Sequence, residues 1–178
     1  MIDRTRRRLL QAGFAGTVVL ALAGGVAWFR PRSQAGVGSA GWDRETRDIV
    51  RAIAPSMLAG ALPADVADRS SAIDETVGAI ERAVAGLPPA ARAELGQLFA
   101  LLALDVGRRV FAGVPSPWNE ASRGEIDAFL AAWQASGWEL KRSAYDALHQ
   151  LVLASWYANP RAWPAIGYPG PPMLAEPR

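Results

Sequence analysis

Carboxylates set side by side can pass protons to and from a substrate, and two places in this chain bring acidic residues together: Asp74-Glu75, and Glu125 with Asp127. Near neighbours on a helix project in different directions, so these four read as solvated faces or helix-start charges rather than a catalytic pair. The single histidine, His149, has no acid or nucleophile that the sequence sets beside it, and general acid–base work needs a partner within hydrogen-bond reach. It reads as a structural or partner-contacting residue. Cysteine is absent, which excludes disulfides, a lipobox anchor and thiolate metal sites. No Gly-x-Gly-x-x-Gly or P-loop spacing is present, and Gly24-Gly25 belongs to the leader described next. The remaining chemistry-bearing side chains are aromatic. Trp118, Trp133, Trp138, Trp156 and Trp163 are explained mostly by packing, and those in the last third also suit a protein interface.

The elements that position these residues begin with a leader. Thr5-Arg6-Arg7-Arg8-Leu9-Leu10-Gln11 has the Ser/Thr-Arg-Arg-x-hydrophobic-hydrophobic form of a twin-arginine export signal, whose paired arginines are read by a receptor. The signal residues are Thr5, Arg6, Arg7, Leu9 and Leu10. Ala12 to Phe29 follows without a charge and is diluted by Gly13, Gly16, Gly24 and Gly25, a moderate hydrophobicity that suits this route better than a strong Sec signal. Ala21-Leu22-Ala23 has the small-x-small form of a peptidase site, and further sites lie near Gln34-Ala35 and Ser39-Ala40. Left uncleaved, the run spans about 27 Å as a helix, close to the ~30 Å thickness of the hydrocarbon layer. Arginines on its amino-terminal side favour a cytoplasmic amino terminus. Both fates, cleaved signal and retained anchor, stay open.

Charge divides the same way. Six of the 19 basic residues precede Ser33, with Asp3 their only acid; from Ser33 onward 13 basic residues face 16 acidic ones. The body is mildly acidic and offers no basic stripe for nucleic acid. Residues 1–32 therefore read as a twin-arginine signal or membrane anchor and 33–41 as a small-residue linker. Residues 42–158 read as a helical domain, and 159–178 as a Pro/aromatic tail packed on the bundle or on a partner.

Within the domain, Asp43 can cap a first helix bearing Ile49, Val50 and Ile53, ending near Ala54-Pro55 or shortly beyond. A second, from about Ala67 to Leu87, sets Ile73, Val77, Ile80, Val84 and Leu87 on one stripe. Pro88-Pro89 opens a third, whose apolar residues from Leu95 to Phe111 cover a wide arc and predict the central, most buried helix. Pro115 and Pro117 form a loop. Asn119 or Ser122 starts a fourth helix, which Gly137 closes, and a fifth runs from about Leu140 to Tyr157. No stretch alternates with period two, so the fold class is all-α: a small bundle of about five helices after an N-terminal signal or anchor helix, with an extended Pro-rich C-terminal tail. Six prolines bar regular helix from that tail, yet Trp163, Ile166 and Tyr168 require burial against some surface.

Trp156-Tyr157-Ala158-Asn159-Pro160 and Trp163-Pro164-Ala165-Ile166-Gly167-Tyr168-Pro169-Gly170 resemble the closing segment of the gluconate 2-dehydrogenase subunit 3 family. There an aromatic-rich helix end is followed by a short loop and Trp-x-x-Ile-Gly-Tyr-Pro-Gly. The leader, the helical body, Ile53-Ala54-Pro55 and Leu62-Pro63 also fit. Only Arg161-Ala162 separates Pro160 from Trp163, where family members often carry a longer Gly-rich insertion.

The resemblance implies a non-catalytic small subunit without a cofactor of its own, beside a flavoprotein dehydrogenase large subunit of the glucose-methanol-choline type that holds FAD. Such complexes oxidise sugars, sugar acids or alcohols on the outer side of the membrane, often passing electrons to a cytochrome c subunit. The small subunit would assist maturation and carry the large one through the twin-arginine translocase, leaving both in the periplasm or on the periplasmic face of the inner membrane. Trp156, Tyr157, Pro160, Trp163, Ile166, Gly167, Tyr168, Pro169 and Gly170 are the partner-binding residues this implies. Two other readings accommodate the same sequence: a membrane-anchored periplasmic scaffold or chaperone with another client, and a free-standing periplasmic enzyme.

Overall fold

The computed structural model describes residues 42–171. The export-signal residues, the linker and the last residues of the tail lie outside that range. The described chain is all-helical: α1 (Arg44–Met57), α2 (Val66–Ala85), α3 (Pro89–Ala103), a π-helical turn (Gly107–Ala112), α4 (Arg123–Gln134), α5 (Glu139–Tyr157) and two 3-10 turns (Pro160–Ala162 and Pro164–Ile166).

Asp43 caps α1 by accepting the Thr46 N–H at 2.8 Å, which satisfies one of the donors that every helix start leaves unpaired. Ile49, Val50, Ile53 and Ala54 are almost completely buried, and Pro55 is accommodated in the last turn. Asp65 caps α2 in the same way. Of the anticipated stripe, Val77, Ile80 and Val84 are buried, joined by Ala72 and by Thr76, whose hydroxyl donates to the Ala72 carbonyl at 2.7 Å; Ile73 is half-buried and Leu87 lies past the end of the helix.

The centre of the bundle is α1, which packs against α2, α3, α4 and α5. The expectation that the third helix is central and continuous to Phe111 is corrected. Helix α3 stops at Ala103, buries only Leu98, Phe99 and Leu102, and leaves Leu104 and Val110 in solvent. The break has a backbone cause. Gly107 lies so close to the preceding helix that a β-carbon there would stand 1.8 Å from the Leu101 carbonyl oxygen. Only glycine permits that approach, and the chain then rewinds as a π-helical turn that points Arg108 inward.

Arg108 is 4% exposed. Its Nη1 donates to the carbonyls of Val114, Pro115 and Ser116 at 3.1, 2.5 and 2.5 Å, and Nη2 to Asp105 at 2.6 Å. The same loop is fixed from its far side. Glu125 completes a capping box with Ser122 and also accepts the Ser116 hydroxyl at 2.7 Å. Asp127 pairs with Arg123 at 3.0 Å. Behind the loop, Trp118, Phe129, Trp133 and Phe111 form a run of edge-on aromatic contacts with centroids 4.7 to 5.8 Å apart. The indole N–H groups of Trp118 and Trp133 reach the carbonyls of Leu102 and Phe111.

Ion pairs mark the helix directions. Arg47–Glu81 and Arg51–Asp74 join α1 and α2 in antiparallel order. Asn159 and Arg161, just past α5, meet Glu75 and Asp68 of α2, so α2 and α5 are antiparallel as well. It follows that α1 and α5 run in the same direction.

Two tests follow from the turn. Gly107→Ala drives a methyl group into backbone and is expected to cost about 3 kcal/mol, read as a lowered urea midpoint. The Ser116 hydroxyl, seconded by the N–H and hydroxyl of Ser122, lowers the Glu125 pKa from 4.5 to about 2. A depressed carboxyl stabilises the fold above its ordinary value and loses that contribution as pH falls through its folded value. Glu125→Gln should therefore flatten the loss of urea resistance that the parent shows between about pH 5 and about pH 2.

Candidate partner-docking surface

Beyond Tyr157 the chain must satisfy the free carbonyls of a helix end with a proline-rich segment that has few N–H groups to offer. The indole of Trp163 meets this need by donating to the Tyr157 carbonyl at 3.0 Å. The Asn159 side chain accepts the Arg161 N–H, and Pro160 and Pro164 each open a 3-10 turn, where a fixed φ is an advantage. The tail is thus wound into turns instead of the extended chain anticipated from its prolines.

Trp163 is the hub. Tyr168 sits edge-on to it at 5.2 Å, and its N–H donates to the Trp163 carbonyl. Gly167 makes the reversal between them at φ 68°. Gly170 lies against the indole so closely that a β-carbon would stand 3.2 Å from the ring. Arg161 clasps the assembly to the bundle through Glu75 at 2.9 Å and Asp68 at 3.4 Å, while Ala162 is buried beneath it. Each exposed ion pair contributes at most about 1 kcal/mol, so the buried Ala162 and the indole contacts carry more of the attachment.

The nine residues proposed from sequence therefore occupy different depths. Trp156 faces the core at 2% exposure and supports the surface from below. Tyr157, Trp163 and Gly170 are half-buried; Pro160, Ile166, Gly167, Tyr168 and Pro169 face solvent. Ile166 at 54% and Tyr168 at 44% are the large apolar side chains it offers outward. Beside this cap, between α2 and α5, runs a groove of about 660 Å³ floored by Gly78, Ala79 and Ala154 and ending at Asn159 and Pro160.

The residues first weighed for chemistry are dispersed. Asp74 is paired with Arg51, Glu75 holds the tail, Glu125 caps a helix, and His149 stacks on Tyr145 at 5.5 Å. Among the described residues no group of three His, Cys, Asp or Glu side chains is placed to hold a metal ion. The clasping role of Arg161 had no signal in the sequence, because Asp68 and Glu75 lie some ninety positions away. No protein-family model, curated protein or solved structure matches this chain.

Trp163→Ala removes the hub while leaving the five helices intact. Limited proteolysis should then cut after Tyr157 at least tenfold faster than in the parent, with the helical circular dichroism unchanged.

Proposed function

We propose that this chain is the non-catalytic small subunit of a membrane-associated periplasmic, FAD-dependent dehydrogenase of the glucose-methanol-choline type, assisting maturation and twin-arginine export of the catalytic subunit. The observation that carries the proposal is the pair Ile166 and Tyr168, held outward on a turn that Trp163 fixes from beneath. Apolar side chains on an already ordered turn bind with little further loss of conformational freedom, and such anchors dominate the energetics of protein interfaces. The tail they belong to is also the segment that resembles the gluconate 2-dehydrogenase subunit 3 family.

The rest of the reading follows from the division of labour. A twin-arginine leader suits cargo that folds and loads its cofactor before crossing. The flavin belongs to the partner, and this chain supplies the signal and a docking surface. A pre-formed surface lets the small subunit distinguish a folded flavoprotein from an unfolded one, because only the folded partner presents a matching pocket.

The test is purification of the tagged full chain from its native host, with the eluate read for a stoichiometric large chain and a flavin spectrum. The double variant Ile166→Ala/Tyr168→Ala leaves the Trp163 hub in place. It should weaken co-purification of the flavin-bearing large chain at least tenfold, about 1.4 kcal/mol, and reduce flavoprotein reaching the periplasm. Full recovery of a flavin-loaded, exported partner with the double variant would remove the docking role from this surface.

A further inference from the structure

The large hydrophobic side chains exposed among the described residues fall into two groups. Val66, Ile166 and Tyr168 lie at the tail end of the bundle. Trp138, the residue before α5, lies at the other end of that helix, whose 19 residues span about 28 Å. Val110 joins it there through its neighbour Phe111, whose ring shares the Lys141 ammonium with Trp138. Leu104 and Val106 lie on the segment leading into the π-helical turn. The second group has no place in the docking surface above.

Its composition is specific. Val106 and Val110 are 51% and 76% exposed and Trp138 66%. The Lys141 ammonium joins their two segments, lying 5.0 Å from the Phe111 ring and 5.9 Å from that of Trp138. Arg109 and Arg142 are the sequence neighbours of Val110 and Lys141; Arg109 has no ion-pair partner among the described residues, and the Arg142 guanidinium donates to the Ser136 carbonyl. Of the nearby acids, Asp105 is engaged by Arg108, which leaves Glu139. Aliphatic and indole side chains ringed by cations match the interfacial layer of an anionic bilayer, where tryptophan and apolar groups enter at headgroup level and Lys and Arg meet phosphates.

The chain's own route points the same way. Because α1 and α5 are parallel, the amino-terminal end of α1 lies at the pole of Trp138. Trp42, which packs against Phe99 at 5.8 Å, marks where the chain from the linker enters the bundle. Residues 33–41, between the leader and Trp42, enter the bundle at this pole and not at the tail pole. A leader inserted in a membrane therefore holds this pole nearest the bilayer.

We infer that the pole bearing Val110 and Trp138 is a membrane-contact surface. Its apolar side chains enter the interfacial layer, Arg109, Lys141 and Arg142 meet anionic headgroups, and the tail surface is presented about 28 Å outward. The inference rests on the membrane-directed leader of the proposed function and is independent of the flavoprotein.

The absence of cysteine from the chain gives a direct test. The full chain, leader included, is reconstituted into phosphatidylcholine–phosphatidylglycerol vesicles containing brominated lipid, with a fluorophore on Val110→Cys or, at the opposite pole, on Ile166→Cys. Both side chains are exposed, so neither variant disturbs the core. Quenching at 110 should exceed that at 166 at least threefold, and should fall when phosphatidylglycerol is omitted. Equal quenching at the two positions, with the leader retained in the vesicles, overturns the surface and spares the leader. A chain that does not stay with vesicles overturns both. Efficient disulfide formation between copies of the unlabelled Val110→Cys chain, driven by an added mild oxidant in lipid-free detergent and not seen for unlabelled Ile166→Cys, would assign the face to a second copy and overturn its lipid role.

Discussion

A guanidinium cannot be left unpaired inside a protein, where an uncompensated buried charge costs about 3–5 kcal/mol. Arg108 is held there by three carbonyls and one carboxylate, and the middle of the chain is arranged around that requirement. To supply those carbonyls, the loop after the π-helical turn must fold back over the guanidinium. To bring Arg108 inward, α3 must stop short and the chain must press Gly107 onto Leu101. The arginine thus determines where one helix ends, how the next turn winds and which loop covers it.

The same constraint reaches the core. Once the loop is closed, Val114 and Trp118 are carried inside, and the Trp118 indole pairs with a carbonyl at the end of α3. Glu125 then ties the loop to the start of α4, so the aromatic run from Trp118 to Phe111 is gripped at both ends. Helix α1 can occupy the centre because this cluster fills the space that a longer α3 would have taken.

How much of this was legible depended on the range of the interaction. Periodicity and capping are local, so α2's stripe, Asp43 as a cap, Pro88-Pro89 as a helix opening and Ser122 as a start could be read directly from spacing. The end of α3 could not. Leu101 to Phe111 is apolar enough to continue a helix, and the reason it does not is a backbone contact invisible to hydropathy. For the same reason Val110 looked like core and is 76% exposed. At the candidate surface, the aromatic tail was visible as a cluster that needed burial. Which members turn outward was not, because Arg161 finds its acceptors on α2 and Trp156 is committed to the interior by the phase of α5.

The clasp between Arg161 and Asp68 also orders events in time. Ninety-three positions separate the two residues, and the tail leaves the ribosome after all five helices. Bringing such distant segments together carries a loop-closure cost that local helix contacts do not. Tail attachment therefore belongs to the end of folding, once α2 and α5 are packed and Glu75 and Asp68 stand on one rigid face. A nascent or misassembled chain lacks that face and cannot present Ile166 and Tyr168 in register. The turn at the carboxyl end thus acts as a seal on a finished bundle, legible from outside only when everything beneath it has closed.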